Sequence, residues 1–168
     1  AGGGLSAGLI AYALTLRHPQ LTIRMVEQGE RLGGNHIWSF FDSDIVDEDR
    51  WLVTPFISHR WQGYDVHFPK RHRTLNAVYN SIESDRFDAV LRATLPAESI
   101  LRGEITMLSQ TQIDLADGTR ISARLVIDAR GPGDLSQLQA GWQKFVGCAV
   151  RVVGGHGLTR GAAVRTRS

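Results

Sequence analysis

The segment Gly2-Gly3-Gly4-Leu5-Ser6-Ala7 leads directly into a run of apolar residues with helical spacing. It fits the pattern G-x-G-x-x-[G/A], in which Gly2 allows a tight turn, Gly4 lets a phosphate approach the backbone and Ala7 permits close packing of helix on strand. The N-terminus of the following helix offers free amide donors and a partial positive charge to a pyrophosphate. Glycine clusters are common at helix starts, so the surrounding sequence decides what this motif means.

Apolar periodicity along the chain predicts alternating helices and strands, and therefore an α/β fold. Apolar residues recur at mostly helical spacing over residues 5–17, and Pro19 ends that helix. Residues 21–27 (LTIRMVE) have the composition of a short strand. A second helix is predicted over residues 84–95, before Pro96. Further strands are predicted at residues 64–68, 74–79, 105–108, 111–115, 120–121 and 124–128.

An acidic residue ends the strand that follows the first helix. Glu27 stands roughly 20 residues after the glycines, where a carboxylate accepts hydrogen bonds from a ribose diol. The alternative is a solvated charge at a strand end. The strand expected before the glycine turn is missing, since Ala1 already lies in the turn. We therefore predict a Rossmann-like dinucleotide-binding fold that lacks its first strand.

A glycine pair distinguishes flavin from nicotinamide as the predicted cofactor. Gly33 and Gly34 follow Glu27 in the order E-x-x-x-x-x-G-G, with Arg31 just before the pair. This order resembles the extended signature of flavoproteins with two dinucleotide-binding domains, in which the pair lies near the cofactor. An ordinary NAD dehydrogenase has no reason to carry it, and the alternative is a plain glycine turn. The resemblance implies an FAD/NAD(P)-binding flavoprotein fold.

A third element is the predicted buried strand at residues 124–128, which leads into Gly131 after a turn at Asp117-Gly118. In the same flavoprotein superfamily the chain returns to the cofactor domain through a strand that ends in such a turn. Asp128 and Gly131 would then lie near the cofactor, and we assign Arg86 as a further contact. By itself, an apolar strand ending in Asp-Ala-Arg-Gly is common in α/β proteins, so the order of the three elements carries the prediction.

Longer segments resemble one family. Residues 33–40 (GGNHIWSF), 64–79 (YDVHFPKRHRTLNAVY) and 84–91 (SDRFDAVL), with VIDARG at 126–131 and HGL at 156–158, are similar in sequence and order to the bacterial lycopene β-cyclase family of carotenoid biosynthesis. The resemblance implies a flavoprotein with bound FAD that cyclises the linear ψ-ends of lycopene to β-ionone rings. NAD(P)H keeps the flavin reduced in that family, although substrate and product are isomers.

The resemblance also sets expectations about the extent of the chain. It covers residues 1–146, which we interpret as a partial FAD-binding domain with the start of a substrate-domain insertion. Residues 147–168 are a divergent basic tail, for which we hypothesise a disrupted reading frame. The C-terminal half of the family's fold, with the acidic motif thought to protonate the polyene, is missing, so no catalytic residue is assigned. An FAD-dependent monooxygenase or oxidoreductase of the same superfamily, or a catalytically inert fragment, is the alternative.

Charge and composition bound the partners. Residues 1–134 hold 14 Lys+Arg and 17 Asp+Glu, a net charge of −3, whereas residues 135–168 hold five basic residues and no acid. A domain-wide nucleic-acid surface is therefore not indicated. The single cysteine, Cys148, and the absence of metal-ligand spacing argue against a metal site. Lycopene is the expected partner in a cytoplasmic protein that contacts the membrane peripherally, and no apolar run is long enough to span a bilayer.

The remaining candidates are aromatic and histidine side chains. His36, within GGNH, is a candidate contact for the cofactor or the substrate pocket. An aromatic-rich region has two interpretations, either core packing or the wall of a polyene pocket that stabilises a carbocation through ring faces. Its members are Trp38, Phe40, Phe41, Trp51, Phe56 and Trp61.

Overall fold

A computed structural model shows a mixed α/β chain, and it describes residues 1–68, 70–132, 136–137, 153–154 and 162–165. The helices are α1 (Leu5–Arg17), α2 (Arg50–Val53) and α3 (Ser84–Thr94), with short 3₁₀ turns at Asp42–Asp44, Asp47–Asp49, Thr54–Phe56 and Ala97–Ser99. The strands are β1 (Met25–Glu27), β2 (Ile37–Phe41), β3 (His59–Trp61), β4 (Tyr64–Phe68), β5 (Arg71–Leu75), β6 (Tyr79–Glu83), β7 (Ile100–Arg102), β8 (Ile105–Leu108), β9 (Gln112–Leu115), β10 (Arg120–Ser122) and β11 (Ala162–Arg165).

The strands form four small sheets. Strands β1 and β7 pair in parallel, with Met25 opposite Ile100 and Glu27 opposite Arg102. Strands β8, β9 and β10 form an antiparallel meander, and β3 and β2 flank β6 in antiparallel pairing. Strand β4 lies between antiparallel β5 and parallel β11. The predicted α/β class is confirmed by this alternation of helices with strands and by the parallel β1–β7 pair.

Strand β1 is buried on both faces. Met25 packs into the core formed with α1 and α3, whereas Val26 packs into a second cluster with Ile113 and Leu115 of the β8–β9–β10 meander. Successive side chains of a strand point to opposite faces, so this three-residue strand contributes Met25 to one hydrophobic core and Val26 to the other. The result is a layered unit, with helices on one side of β1 and the meander on the other, and Glu27 at the end of the central strand.

Three predicted strands differ from the structure. The strand predicted at 21–27 is confined to Met25–Glu27, because its partner β7 offers only three residues for pairing. The strand predicted at 74–79 is wrong: β5 ends at Leu75 and β6 begins at Tyr79, and the two belong to different sheets. Residues 124–128 form no regular strand. The prediction of buried side chains there is also wrong, because Leu125 and Ile127 are exposed.

The segment 124–128 makes isolated backbone hydrogen bonds and no regular ladder. The amino group of Ala1 donates to Ile127 O at 2.8 Å, and Ala129 N donates to Ala1 O at 2.9 Å. A further bond, from Val126 N to Gln110 O at 2.8 Å, links the segment to the turn between β8 and β9. The extended segment therefore borders the glycine turn without joining a described sheet.

Other predictions agree closely with the structure. Helix α1 and strands β4 and β8 have the predicted bounds. Helix α3 ends one residue earlier than predicted, β9 begins one residue later, and β10 is one residue longer. The predicted strands leave out β2, β3, β7 and β11 and all of β6 after Tyr79, because the apolar residues of these strands do not alternate clearly.

The aromatic residues separate into two groups. Phe56 is fully buried, and Trp38, Phe40 and Trp51 pack against the same core, which confirms core packing for these four. The other two, also partly buried, are not among the residues of that core: the Phe41 and Trp61 rings lie 5.3 and 6.1 Å from the ring of Tyr79 on β6. Within the described ranges, no helix is long and apolar enough to cross a bilayer.

Candidate functional site

The glycine turn before α1 is tightly enclosed at one end and open at the other. Gly2 has φ +89°, and a Cβ atom there would lie 2.7 Å from Ala129 O, so another residue would meet both backbone strain and a clash. At Gly4, by contrast, a Cβ atom would have no heavy atom within 4 Å. The backbone of Gly4 therefore faces open space, as close approach of a phosphate requires.

The N-terminus of α1 keeps its donors available. The first helical hydrogen bond runs from Gly8 N to Gly4 O at 2.9 Å, and the amides of the preceding turn have no acceptor within the helix. Gly4 is the N-cap and makes no side-chain cap, and the first turn, Leu5-Ser6-Ala7-Gly8, carries no acidic residue. An anion at this end would meet free N–H groups and the positive end of the helix dipole.

The Glu27 carboxylate connects the glycine turn to the loop that follows β1. Its Oε2 accepts a hydrogen bond from Gly3 N at 2.7 Å, and its Oε1 accepts one from Gly29 N at 2.8 Å. An ionised carboxylate has about four lone-pair sites, so about two remain for hydroxyl donors. Glu27 is therefore held rigidly by backbone amides and still has acceptor capacity for a diol.

The glycine pair packs directly on the glycine turn. Gly33 N donates to Gly3 O at 2.8 Å, and both members of the pair have positive φ, +80° at Gly33 and +58° at Gly34. A Cβ atom on Gly33 would lie 2.9 Å from Trp38 Cη2, which leaves no room for a side chain. The pair is thus required by backbone conformation and packing, and it lies next to Gly3.

The turn at residues 128–131 contacts Gly2 through the backbone of Ala129. Asp128 forms a paired interaction with Arg130, through Nε at 2.9 Å and Nη2 at 2.8 Å. The guanidinium and the amide of Arg130 together lower the pKa of the Asp128 carboxyl from its ordinary 3.8 to about 2. Gly131 has φ +100°. The structure therefore brings this turn to the glycine motif, with Asp128 already engaged by Arg130.

Arg31 and Arg86 lie at the exposed rim of the site. Arg31 Nη1 contacts Asp85 Oδ1 at 2.5 Å, and both side chains are mostly exposed. Arg86 is exposed in the first turn of α3, a turn that approaches the glycine pair because a Cβ on Gly33 would lie 3.3 Å from Ser84 Cβ. Neither arginine contacts Glu27 or the glycine turn in the described structure, so their assignment to the cofactor stays a prediction.

A cavity of about 160 Å³ adjoins Glu27 at the carboxyl ends of β1 and β7, the edge at which α/β sheets bind ligands. The residues that line it are Glu27, Gly29, Glu30, Leu32, Arg92, Ile100, Leu101 and Arg102. Sequence reasoning identified one of them, Glu27. Gly29, two residues after Glu27, could have indicated from the sequence that the loop turns back towards Glu27, whose carboxylate accepts a hydrogen bond from Gly29 N.

Two further predictions concern residues elsewhere. His36 is exposed, with its ring 5.7 Å from that of Trp38. Within the described part of the chain, no three His, Cys, Asp or Glu side chains cluster closely enough to hold a metal ion, and the expectation of no metal site stays a prediction. Cys148 and most of the predicted tail at 147–168 lie outside the described residues. The division of the chain at residue 146 likewise stays a prediction.

Comparison with known proteins gives a consistent assignment. The model of the lycopene cyclase protein family matches residues 1–163. The chain is 40% identical over 158 residues to the lycopene β-cyclase of Pseudescherichia vulneris, 35% identical over 158 residues to that of Pantoea ananas, and 34% identical over 163 residues to that of a Paracoccus species. These alignments cover 94–95% of this chain and 41% of each relative.

A solved structure supports the fold. Xcc4156, a flavin-dependent halogenase from Xanthomonas campestris, superposes with a TM-score of 0.53 at 16% identity, covering 73% of this chain and 39% of that one. This likeness concerns the fold alone, and it confirms the predicted flavoprotein type of α/β fold. The chain spans about two fifths of the length of the curated relatives that it matches. The family match along nearly the whole chain shows that the chain belongs to the lycopene cyclase family.

Proposed function

We propose that this chain forms the FAD-binding part of a lycopene β-cyclase. The observation that carries the proposal is the Glu27 carboxylate, which bonds Gly3 and Gly29 beside the open backbone of Gly4. Family membership and the names of three relatives support the activity. The fold shared with a flavin-dependent halogenase supports the choice of flavin.

The site fits the adenosine diphosphate portion of FAD. A side chain at Gly4 would fill the space that a pyrophosphate needs, and the first turn of α1 would supply amide donors to that group. The remaining lone pairs of Glu27 would accept hydrogen bonds from ribose hydroxyls. The adjoining cavity, between Glu27 and the β7 residues Ile100 and Arg102, would take the adenosine end. The chemistry of these groups therefore matches a dinucleotide.

The proposed reaction is an isomerisation. A carboxylic acid protonates a terminal double bond of lycopene, the resulting cation closes a six-membered ring, and loss of a proton gives the β-ionone ring. One proton enters and one leaves, and no electron is transferred overall. When bound, reduced flavin would supply negative charge that stabilises the cation. Family resemblance alone supports NAD(P)H as the reductant that maintains this flavin state.

This chain contributes binding and orientation to that chemistry. Gly2, Gly4 and Ala7 shape the pyrophosphate turn, and Ala7 packs against the core of buried side chains. We propose the exposed Arg86 and the Asp128–Gly131 turn as further cofactor contacts. No residue of the chain is proposed as the acid. Because lycopene is apolar, we also propose peripheral contact with membranes. We propose a cytoplasmic location as well, and no nucleic-acid partner, since residues 1–134 carry a net charge of −3.

The experiment that tests the activity uses the full-length protein of which this chain forms part. Lycopene is supplied without oxygen, with NADPH and FAD, and pigments are separated by chromatography. β-Carotene is the expected product. An oxygenated carotenoid, or turnover that requires O₂, would instead indicate a monooxygenase of the same fold.

A separate measurement tests the cofactor. The 168-residue chain is purified, and its visible spectrum is recorded before and after addition of FAD and gel filtration. A retained flavin absorbance supports the proposed site. A colourless protein would favour an inert chain that does not close the flavin site without the remainder of the family's fold.

A further inference from the structure

We propose that Asp88 is a positioning residue, which holds the loop between Glu27 and Gly33 in the shape that binds FAD. The inference rests on the proposed function. Asp88 lies on α3, more than 50 residues along the chain from this loop, and was not among the residues that sequence reasoning singled out. It would act through the backbone of the loop, without touching the cofactor.

The contacts of Asp88 reach two backbone groups of the loop. Its Oδ1 accepts a hydrogen bond from Leu32 N at 2.8 Å, and both of its oxygens lie 2.9 Å from Arg92 Nε. Arg92, one helical turn later, donates from Nη2 to Glu30 O at 3.0 Å. One carboxylate thus holds an amide directly and a carbonyl through the guanidinium.

Burial makes this arrangement stronger than the neighbouring ion pair of α3. The Asp88 side chain is 16% exposed and its partner Arg92 is 47% exposed, while Leu32 is almost fully buried at 1%. The Arg31–Asp85 pair, in contrast, has exposures of 65% and 75%, where water screens the attraction. Charge-assisted hydrogen bonds strengthen as water is excluded, so Asp88 is the better anchor for the loop.

The loop that Asp88 holds contacts the proposed cofactor site at three points. Near its start, Gly29 N bonds to Glu27, and at its end Gly33 N bonds to Gly3 O. In its middle, Leu32 packs against the glycine turn, since a Cβ on Gly3 would lie 2.7 Å from Leu32 Cδ2. A shift of the middle of the loop would therefore change the position of the groups that receive pyrophosphate and ribose.

The same loop and the same arginine form a wall of the cavity beside Glu27. Glu30, Leu32 and Arg92 all line it, whereas Asp88 is not among the lining residues and contacts two of them, Leu32 and Arg92. Without its negative charge, residue 88 would no longer hold the guanidinium of Arg92 against Glu30 O, and its hydrogen bond with the Leu32 amide would be weaker. We therefore expect the loop that lines the cavity to become less ordered in the absence of FAD. The affinity for FAD should then fall, because binding has to restore the order of the loop.

The test compares Asp88→Asn with the matched control Asp114→Asn in the full-length protein. Asp114 is 22% exposed and is paired with Arg120 at 3.0 Å on the β9–β10 hairpin, where it lines no part of the cavity. FAD affinity is measured by flavin fluorescence, and the apo-protein's free energy of unfolding by chemical denaturation. Visible circular dichroism of bound flavin reports its surroundings.

We expect the FAD dissociation constant to rise about tenfold in Asp88→Asn, equivalent to about 1.4 kcal/mol, and to change less than twofold in Asp114→Asn. Unfolding free energies of the two apo-variants should be similar, which separates positioning from general destabilisation. Arg92→Lys should resemble Asp88→Asn, because a single ammonium cannot hold Asp88 and Glu30 O in the same geometry.

Equal FAD affinity in Asp88→Asn and the unmodified protein would overturn the inference, as would equal losses in Asp88→Asn and Asp114→Asn. Asparagine has the same side-chain shape as aspartate and keeps one oxygen that can accept from Leu32 N. We therefore expect Asp88→Asn to fold even if Asp88→Ala does not. Absence of FAD binding by the unmodified full-length protein would overturn the proposed function itself, and is thereby distinguished from failure at Asp88.

Discussion

Gly8 of α1 lies directly against the ring of Phe87 on α3, and a Cβ atom on Gly8 would stand 2.2 Å from Phe87 Cζ. The same Cβ would be 2.7 Å from Leu91 Cδ1. Phe87 and Leu91 are fully buried, so neither side chain has space to withdraw. The crossing of α1 and α3 therefore depends on a glycine immediately after Ala7, the position at which the motif led us to expect close packing.

Replacing Gly8 with alanine should destabilise the chain. Alanine gains about 1 kcal/mol in helix propensity over glycine, whereas overpacking a core costs about 1–3 kcal/mol. We expect a net loss of up to about 2 kcal/mol, measured as a lower denaturant midpoint with an unchanged slope. A midpoint that rises in Gly8→Ala would show that the helices separate at little cost.

Replacing Gly4 with alanine should affect binding far more than stability. Its φ of −75° suits any residue and the new Cβ would enter open space, but alanine is a poorer N-cap than glycine, so we expect the free energy of unfolding to fall by no more than about 1 kcal/mol. The added methyl group would occupy the approach to the helix amides, and we expect FAD affinity to fall at least about tenfold. Titration of the apo-protein with FAD checks this, and unchanged affinity would place the pyrophosphate elsewhere.

Replacing Glu27 with glutamine should weaken the fold even without cofactor. The two carboxylate oxygens accept from Gly3 N and Gly29 N, and glutamine must turn its NH₂ group towards one of these donors. A hydrogen bond to a charged group contributes about 1.5–3 kcal/mol, so we expect a loss of about 2 kcal/mol in the free energy of unfolding. Glu30→Gln is the control, because the Glu30 side chain is exposed. Equal stabilities for the two variants would contradict the structural role of Glu27.

The Asp128–Arg130 pair should survive to low pH. Because the pKa of Asp128 is lowered from 3.8 to about 2, the pair stabilises the folded state in full above pH 3.8 and this contribution is lost as the pH falls towards 2. A carbon NMR titration of the Asp128 carboxyl measures the pKa. In Arg130→Ala the pKa should rise towards 3.8, and a titration that is the same in both proteins would show that Arg130 is not the cause.

Much of the candidate site could be predicted from the sequence because its parts are local. The glycine turn and α1 are encoded within 17 residues, and E-x-x-x-x-x-G-G places Glu27 and the glycine pair on one short loop. These patterns depend on backbone conformation and spacing, which neighbouring residues determine. The predicted bounds of α1 accordingly agree with the structure.

Strand boundaries were harder to predict because they depend on pairing partners. Residues 21–24 have strand-like composition, but β7 offers no partner beyond Ile100–Arg102. Residues 124–128 are apolar enough for a buried strand, yet their described backbone hydrogen bonds are isolated ones with Ala1 and Gln110. Alternation of side chains shows which residues prefer extended backbone, but it does not show how many residues a neighbouring strand can pair.

By itself, the sequence determined the dinucleotide motif, the acid and glycine pair that follow it, and the family resemblance that the comparisons confirmed. Only the tertiary structure decided that the Asp128 turn borders Gly2, that a cavity adjoins Glu27, and that Asp88 holds the loop through Leu32 and Arg92. The reason is separation along the chain. These contacts join segments that are dozens of residues apart, and they form when the whole chain folds and buries its apolar surface, which no local pattern encodes.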